Sequence, residues 1–496
     1  MTLLLGVLFP AASATTSVPN ATTFTSPNAQ PSGEFGWAVA ASGTSVVVGT
    51  PQENASAFVN AGHAYIFNNT GSLIATLTSP NAQSGGGFGY SVAVNGTVVV
   101  VGTPLEIAGG HAGAGHAYIF SALGGPPIIL TSPNAQSYGG FGYSVSASGA
   151  TVVVGAQGET AGGHAGAGHA YIFNNTGSLI TTLTSPNVPS GPGASGGFGY
   201  SVAVSGTSVI VGAPGETAGG FGSAGHAYIF NNTGSLITTL TSPNAQINGV
   251  FGYSVAVSGT SVIVGASVET AGGFGSAGHA YIFNNTGSLI TTLTSPNAQS
   301  GGIFGNSVAV SSTSVVAGAP NEGHAYIFDS TGSLIATLTS PNAPSGAFGY
   351  AVALSGSSVV VGAMLETADG FVKAGHAYLF PVFPPPDFMV AASPSFLTIK
   401  QEGKLSSGLS TITLTGLNGF SGAISLSATV SPIVNHGPTA SLSSSTVNLP
   451  KNGQGTSTLT IAVPASTPKG TYMITVTGIS GTLSHSVQVQ AMVITI

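Results

Sequence analysis

The chain has 496 residues, with 75 Gly, 29 Pro and no Cys, and its formal net charge is −7. Charged residues make up only 3% of the sequence, against about 25% in an ordinary globular protein, so the chain has no basic stripe that could bind nucleic acid. The lack of cysteine excludes disulfides and thiolate metal sites, and the 42% hydrophobic content favours a fold with many tight turns over a disordered chain.

The first predicted element is a secretory signal peptide over residues 1–14. Residues 3–9 form an apolar run that is too short to cross a bilayer, and residues 12–14 read Ala-Ser-Ala, a small-x-small cleavage pattern. No other stretch approaches the roughly 18 uninterrupted apolar residues of a membrane helix, so no membrane span is predicted. We expect the mature chain to be secreted or held at a cell surface.

From residue 21 onward the chain repeats itself. A Phe-Gly pair is followed, 14 residues after the Phe, by a Gly that closes an apolar run, and a Gly-His-Ala-Tyr segment comes next. Successive pairs are 53, 53, 57, 53, 53 and 44 residues apart, which predicts seven units. The Phe residues of these pairs are Phe35, Phe88, Phe141, Phe198, Phe251, Phe304 and Phe348.

Each unit is predicted to contain four short antiparallel strands. In the fourth unit, β-branched runs cover residues 201–204 and 208–211 around a Ser-Gly-Thr turn, and two further strands follow before Pro243. Seven such units over residues 15–380 predict a seven-bladed β-propeller with one blade per unit. The last unit lacks its fourth strand, and we expect the N-terminal segment 21–28 to supply that strand and close the ring.

The repeated sequence resembles a known family. Phe-Gly-Tyr-Ser-Val-Ala-Val from Phe251, with the Gly-Ala-Pro triplet from Gly212, resembles the FG-GAP repeat, the blade unit of integrin alpha-subunit propellers. The resemblance covers residues 21–380 and implies recognition or adhesion outside the cell. Only the triplets from Gly212 and Gly318 are complete, and the place of the family's Asp-rich calcium loop holds Ser-Gly-Thr or, at Asn95, Asn-Gly-Thr. Calcium needs carboxylate oxygens, so we predict no calcium and no other cofactor.

Beyond the repeats, residues 381–386 are predicted to be a proline-rich linker to a second domain over residues 387–496. Alternating strand patterns replace the repeat there, and residues 469–476 resemble the penultimate strand of an immunoglobulin-like surface domain. About seven strands in this length fit such a sandwich. The predicted fold class is therefore all-β, a seven-bladed propeller followed by an immunoglobulin-like β-sandwich.

Length variation among the units is confined to two connections, from strand 2 to strand 3 and from strand 4 to the next strand 1. An insertion covers residues 188–196, and the sixth unit lacks eight residues before His324. Both connections emerge on one face of a propeller, and variable loops on a rigid scaffold commonly carry recognition. We predict that this face binds an extracellular protein or a glycan.

Asn-x-Ser/Thr sequons recur along the repeats, mostly in the constant turns of the opposite face. They are candidate N-glycosylation sites, but Asn is also favourable in tight turns, so both interpretations stay open. The residues concerned are Asn20, Asn54, Asn68, Asn95, Asn174, Asn231 and Asn284.

One Glu and one His recur at the two ends of every connection between strands 2 and 3, where they can face each other. One interpretation is a ring of ligand-binding carboxylates on the loop face, and the other is a structural Glu–His hydrogen bond that clips each hairpin. The Glu residues are Glu53, Glu106, Glu159, Glu216, Glu269, Glu322 and Glu366. The His residues are His63, His116, His169, His226, His279, His324 and His376.

Two further His residues, His111 and His164, lie inside two of these connections and are candidate ligand-binding residues. Two imidazoles could begin a metal site, but no third ligand is evident, so no metal is predicted.

The composition favours a binding protein over an enzyme. Asp occurs only at Asp329, Asp369 and Asp387, which leaves little material for an acid–base pair or a triad. Recognition or adhesion is the first functional hypothesis. The second is a self-associating subunit of a coat or filament, favoured by the nearly uncharged surface and a long final strand. The third is a lectin-like or metal-dependent enzyme that uses the ring of Glu and His residues.

Overall fold

The computed structural model describes residues 21–121, 125–187, 195–342, 346–381, 386–401, 403–418 and 420–495. Within these ranges the regular secondary structure consists of β-strands, and no helix has the length and apolar character needed to cross a bilayer. The predicted signal peptide, Asn20, most of the insertion 188–196 and most of the linker lie outside the described residues. The chain divides into two compact units, Met1–Val382 and Phe383–Ile496.

The first unit contains seven four-stranded antiparallel sheets, which fit a seven-bladed propeller and are called blades 1–7 here. In chain order the strands are β1 Thr22–Phe24, β2 Ala38–Ser42, β3 Ser45–Thr50, β4 His63–Asn68, β5 Leu73–Leu77, β6 Ser91–Asn95, β7 Val98–Thr103, β8 His116–Ser121, β9 Ile128–Thr131, β10 Phe141–Ser148, β11 Thr151–Ala156, β12 His169–Asn174, β13 Leu179–Thr184, β14 Ser201–Ser205, β15 Ser208–Ala213, β16 His226–Asn231, β17 Leu236–Thr241, β18 Ser254–Ser258, β19 Ser261–Ala266, β20 His279–Asn284, β21 Leu289–Thr294, β22 Val308–Val310, β23 Ser314–Ala319, β24 His324–Asp329, β25 Leu334–Thr339, β26 Phe348–Ser355, β27 Ser358–Ala363 and β28 His376–Pro381. Blades 1–6 take four consecutive strands each from β2 onward, and blade 7 has the order β1-β28-β27-β26.

The core of this unit lies between successive blades. One buried cluster combines Ile210 and Ile229 of blade 4 with Phe251, Val264 and Tyr281 of blade 5, and the other blade pairs repeat the pattern. Each sheet thus buries apolar side chains against its neighbour, which a single isolated blade would expose.

Glycines bring the blades into backbone contact. A Cβ on Gly265 would lie 2.1 Å from the carbonyl oxygen of Gly305 in the next blade, and one on Gly318 would lie 1.9 Å from that of Gly349. No side chain fits at such a distance, so this position in each unit must be glycine.

The N-terminal strand closes the circle, as the sequence predicted. β1 pairs antiparallel with β28, with Thr22 opposite Leu379 and Phe24 opposite Ala377. Phe24 is buried, and its ring centroid lies 5.2 Å from that of Phe67 in blade 1. The first strands also contact one another in a closed cycle, because β2 contacts both β6 and β26. The pairing of β1 with β28 supplies the fourth strand of blade 7 and covers the edge of β28.

The second unit contains two sheets around a single core. The strands are β29 Asp387–Ser393, β30 Phe396–Gln401, β31 Ser406–Leu417, β32 Gly422–Ser431, β33 Thr439–Leu442, β34 Thr446–Leu449, β35 Gln454–Val463, β36 Gly470–Ser480 and β37 Leu483–Thr495. Their orders are β29-β31-β35-β33 and β30-β37-β36-β32-β34. Nine strands replace the predicted seven or so, because the chain changes sheet between β29 and β30 and again between β33 and β34. Ile412, Leu459, Ile474 and Val489 lie at the centre of the shared core.

Candidate recognition face of the propeller unit

The strand order defines two faces of the first unit. The connection from strand 2 to strand 3, the 2–3 loop, and the connection from strand 4 to the next strand 1, the 4–1 loop, leave the sheets at the same end. In blade 4 these loops follow Ala213 and Thr241. We call this side the loop face, and the side with the 1–2 and 3–4 turns the turn face.

Backbone hydrogen bonds hold the loops of the loop face together. The 2–3 loop of blade 4 pairs with the 4–1 loop that leads to blade 5, since the amide of Asn248 donates to Gly222 at 2.9 Å and that of Val250 donates to Ser223 at 3.0 Å. The junction of blades 7 and 1 is similar, with the amide of Glu34 donating to Lys373 at 3.0 Å. The loop face is therefore a preformed surface.

Polar side chains in the 4–1 loops also serve this internal pairing. The side-chain oxygen of Gln246 accepts a hydrogen bond from the amide of Thr270 at 3.0 Å, and the side-chain amide of Asn244 donates to the Thr270 carbonyl at 3.4 Å. The side-chain oxygens of three other Gln residues likewise accept a hydrogen bond from a backbone amide in the 2–3 loop of the blade that follows each of them. They are Gln30, Gln83 and Gln136. Much of the hydrogen-bonding capacity of these loops is thus used within the protein.

Six of the seven 2–3 loops present an aromatic or imidazole ring at one equivalent position, where the residue pairs with an Ala three positions earlier. The four Phe side chains are 40–46% exposed. We call these residues the tip ring: Phe58, His111, His164, Phe221, Phe274 and Phe371. His111 and His164 therefore occupy positions that hold Phe elsewhere. Among the described residues, no group of three or more His, Asp or Glu side chains could hold a metal ion.

Further apolar side chains are exposed in the 2–3 loops and, at Tyr138 and Ile247, in the 4–1 loops. They are Val59, Leu105, Ile107, Tyr138, Ile247, Val268 and Val372. Large exposed apolar patches are uncommon on monomeric soluble proteins and mark sites of interaction. The tip ring was not found from the sequence, because the search for recurring residues looked for one residue type and this position holds Phe in four units and His in two.

The recurring carboxylates lie in the interior, beneath these loops. Glu269 is fully buried and accepts hydrogen bonds from Ser242 and, at 2.5 Å, from the Tyr281 hydroxyl. Its Oε2 also lies 2.9 Å from Nδ1 of His279. Burial raises the pKa of Tyr281, and the Glu269 carboxylate raises it further.

The same arrangement is found in six blades, and its carboxylates are 0–5% exposed. A ligand on the surface of the loop face does not reach them. In each of these blades Oε2 of the Glu lies 2.9–3.0 Å from Nδ1 of the recurring His. The carboxylates concerned are Glu53, Glu106, Glu159, Glu216, Glu269 and Glu366. The Ser and Tyr partners were not predicted, although both recur in the Leu-Thr-Ser-Pro-Asn and Gly-His-Ala-Tyr segments.

Blade 6 departs from this arrangement. Oε2 of Glu322 accepts hydrogen bonds from the Ser295 and Tyr326 hydroxyls, both at 2.6 Å. Among the described residues Glu322 Oε1 has no hydrogen-bond partner, and Nδ1 of His324, like that of His279 in blade 5, makes no hydrogen bond either. Glu322 and His324 are half-buried. Burial raises the pKa of Glu322 above its ordinary value, because it outweighs the hydrogen bonds that lower the pKa.

Glu366 in blade 7 shows the opposite balance. Burial again acts to raise the pKa, but the hydrogen bonds from His376, Ser340 and Tyr378 outweigh it, so the pKa of Glu366 is lowered.

The axis of the first unit holds a cavity of about 250 Å³, to which every blade contributes three residues. At its loop-face end lies the residue two positions after each repeated Phe. Six of these residues are aromatic, and neighbouring ring centroids from Tyr350 through Trp37 to Tyr253 lie 4.9–5.3 Å apart. The seven positions, called the channel ring, are Trp37, Tyr90, Tyr143, Tyr200, Tyr253, Asn306 and Tyr350.

The channel ring was missed at the sequence level, although its constant distance from the repeated Phe was a visible signal. Burial raises the pKa of Tyr200, and the neighbouring hydroxyls of Tyr143 and Tyr253 raise it further. The Tyr200 phenol therefore stays neutral, and the cavity mouth offers aromatic surface to an apolar group.

The sequons of the 3–4 turns share one geometry. Oδ1 of Asn231 accepts hydrogen bonds from the Thr233 amide at 3.1 Å and from the Thr233 hydroxyl at 2.8 Å. Asn68, Asn174 and Asn284 make the same contacts. In blade 6 Asp329 builds this turn with Thr331, which shows that the turn needs only the acceptor oxygen.

Two other sequons lie outside the 3–4 turns. Asn95 lies in a 1–2 turn, where its Oδ1 accepts a hydrogen bond from the Gly149 amide. Asn54 lies in a 2–3 loop.

Comparison with known families gives one match. The FG-GAP repeat family matches six segments that together cover more than half of the chain, namely residues 20–67, 72–120, 128–173, 188–230, 235–283 and 333–380. The first three strands of blade 6 fall outside the matched segments. No curated protein sequence matches the chain.

Solved structures are similar at low identity. The structure of apo AztD from Citrobacter koseri is 9% identical over 61% of this chain and 72% of that chain, with a TM-score of 0.33. A quinonprotein alcohol dehydrogenase-like protein from Bacteroides thetaiotaomicron is 10% identical over 63% of this chain and 66% of that one, with a TM-score of 0.36. PapD-like domain 7 of human CEP192 is 13% identical over 22% of this chain and 84% of that domain, with a TM-score of 0.16.

Proposed function

Because the chain belongs to the FG-GAP repeat family, we propose that it is a secreted or cell-surface recognition protein whose loop face binds an extracellular protein or glycan. FG-GAP repeats are typical of extracellular proteins. One observation carries the proposal, namely that six blades present a tip-ring side chain at one equivalent position on loops fixed by backbone hydrogen bonds. A loop whose backbone is held in place before binding loses little conformational freedom when a ligand covers it.

The surroundings of the tip ring support a binding surface over a catalytic site. Exposed aliphatic side chains lie in the same loops, and the channel ring adds an aromatic cavity on the axis. The carboxylates that an enzyme would use are buried beneath the loops in six blades. The proposal therefore assigns no catalytic residue, no metal and no cofactor.

The experiment compares two double variants of the full chain with similar exposure. Phe221→Ser with Phe274→Ser removes two residues of the tip ring, which are 42% and 46% exposed. Leu236→Ser with Leu289→Ser removes two side chains that are both 44% exposed on the fourth strands, away from the loop face. Binding is read on a printed glycan array and on a panel of immobilised extracellular proteins, with and without EDTA.

The proposal expects the wild-type protein and the Leu variant to bind the same probes, and the Phe variant to lose at least tenfold in affinity. Equal binding by both variants would remove the loop face as the site. Loss of binding with EDTA would favour the metal-dependent alternative.

For residues 387–496 we infer an immunoglobulin-like module that acts as a spacer or an assembly element. The two sheets with a common core support this inference. Glycosylation of the turn-face sequons is a separate part of the proposal, and it would cover the turn face while leaving the loop face free.

A further inference from the structure

We propose that the loop face of one copy binds the second unit of another copy, so that the protein assembles head to tail. The inference rests on the proposed function in one respect, since it takes the same face to be a binding surface. The occupant is a surface of the second unit that we call the edge patch, formed by Phe396, Lys400, Leu405 and Met492.

The edge patch lies at the outer strand of the five-stranded sheet: Phe396 and Lys400 lie on β30, Met492 lies on the neighbouring strand β37, and Leu405 lies in the connection from β30 to β31. Among the described strands β30 pairs with β37 alone, so its other edge has no strand partner in that part of the chain. The register places Phe396 opposite Gln490, Thr398 opposite Met492 and Lys400 opposite Ile494. Phe396, Met492 and Leu405 are 50%, 42% and 70% exposed. An exposed edge strand beside exposed apolar side chains favours association.

The two units carry opposite charges. Ten of the twelve acidic residues and one of the five Lys lie before residue 383, which leaves the first unit at −9 and the second at +2, and these sum to the net charge of −7. Six of the ten acids are buried, but Asp369 is exposed and Glu34 and Glu322 are half-buried, all three in loops of the loop face. Lys373 is exposed in the same loop as Asp369, so these four charges of the loop face sum to −2. Lys400 on the edge patch is exposed. The charges of the two surfaces therefore complement each other.

The chemistry of the loop face favours a protein surface over a glycan. A glycan is held by several hydrogen bonds, whereas the Asn and Gln side chains of the 4–1 loops are already bonded within the protein. The large side chains exposed on this face include Phe, Val, Leu and Ile, which gain free energy by burial against another apolar surface. Phe396, Leu405 and Met492 provide such a surface.

Because the two surfaces differ, the contact between copies is heterologous. A heterologous contact leaves one free surface of each kind on every dimer, so further copies can add. The assembly is therefore an open chain, or a closed ring where the rotation between copies allows closure, and the average mass of the oligomers grows with protein concentration. The low charge of the whole sequence also leaves little repulsion between copies.

Complementation between two full-length variants tests this arrangement. The face variant carries Phe221→Ser and Phe274→Ser, and the patch variant carries Phe396→Ser and Leu405→Ser. Light scattering after size exclusion should show wild-type protein growing from monomer to oligomers as concentration rises, and each variant alone staying monomeric. An equimolar mixture should form a dimer and nothing larger, because it contains one intact pair of surfaces. The Leu236→Ser, Leu289→Ser protein should assemble like wild type.

Each other outcome overturns the proposal. A face variant that assembles like wild type removes the loop face, and a patch variant that does so removes the edge patch. A wild-type protein that stays monomeric at every concentration shows that copies do not associate, whether or not the patch contacts its own chain. These results are independent of the proposed function, since the patch variant should bind the array probes whenever wild type does.

Discussion

Blades 5 and 6 are neighbours built on one four-strand pattern, but they hold the recurring carboxylate differently. In blade 5 the 2–3 loop covers residues 267–278, and Glu269 beneath it is fully buried with Ser, Tyr and His partners. In blade 6 the loop is reduced to residues 320–323, and Glu322 keeps only the Ser and Tyr hydroxyls. The long loop is therefore what buries the carboxylate and brings the imidazole into contact.

The contacts common to both blades show what the strands alone provide. The Ser follows strand 4 of the preceding blade and the Tyr lies within strand 3, so their hydroxyls reach the carboxylate whatever the length of the loop. Blade 6 also lacks a residue of the tip ring and has Asn306 in the channel ring. Five sets of substitutions break or sharpen this comparison, in order from the largest expected effect on stability to the smallest.

The largest loss of stability is expected at the glycine that contacts the next blade, which blades 5 and 6 share whatever the length of their 2–3 loops. Gly265→Ala and Gly318→Ala each place a Cβ about 2 Å from a backbone oxygen of the next blade, so both should cost about 4 kcal/mol or more and abolish soluble folded protein. Soluble yield and β-sheet circular dichroism measure this. Gly222→Ala, whose Cβ would meet nothing within 4 Å, should behave as wild type.

The buried carboxylate of blade 5 comes next. Glu269→Gln removes a charge that accepts two hydroxyl hydrogen bonds and faces an imidazole, so it should lower the free energy of unfolding by about 2–3 kcal/mol. Urea denaturation at pH 7 measures the change. A loss as small as that expected for Glu322→Gln would mean that the long loop does not strengthen the cluster.

Glu322→Gln should be neutral or slightly stabilising at pH 7, by no more than about 1 kcal/mol. The folded-state pKa of Glu322 is raised, so ionisation opposes folding at neutral pH and the penalty disappears as pH falls through the folded-state pKa. The pKa of Glu366 is lowered, so its contribution is present above the unfolded-state pKa and is lost as pH falls. Thermal unfolding from pH 3 to pH 8 should therefore give differences of opposite sign for Glu322→Gln and Glu366→Gln.

Asn306→Tyr should complete the aromatic channel ring. A new pair with each neighbour gains about 0.5–1.5 kcal/mol, but the hydrogen bond from Asn306 to the Tyr350 carbonyl at 2.9 Å is lost, which leaves a net gain of about 0.5 kcal/mol. Scanning calorimetry should show a small rise in the melting temperature. Asn306→Ala, which loses the bond and gains no ring, should melt below wild type.

Asp329→Asn should have the smallest effect on stability, less than about 0.5 kcal/mol, because the turn keeps its acceptor oxygen. The substitution also creates a sequon in blade 6. After secretion from a glycosylating host, intact mass should show one more occupied site than wild type if the turn-face sequons are used. An unchanged number of glycans would favour the interpretation of these sequons as turn chemistry.

Much of the fold was predictable because it is local and repeated. The β-branched runs, the Gly of each hairpin turn and the constant spacing of the Phe-Gly pairs indicate four strands in each of seven units, and the missing last strand points to the segment around Phe24. The strand count of the second unit was less accessible. Whether the chain changes sheet near Pro394 depends on packing across the core and not on any local pattern.

The sequence by itself determined the number of repeats, their strands and the closure, because hydrophobic period and turn residues act over a few neighbouring positions. Only the tertiary structure decided which recurring residues face solvent. Glu269 is buried and Phe221 exposed, against their ordinary preferences, because pairing between the loops of adjacent blades places the carboxylate under a backbone cover and leaves the ring outside it. That pairing joins residues of different repeats, and no pattern within one repeat contains it.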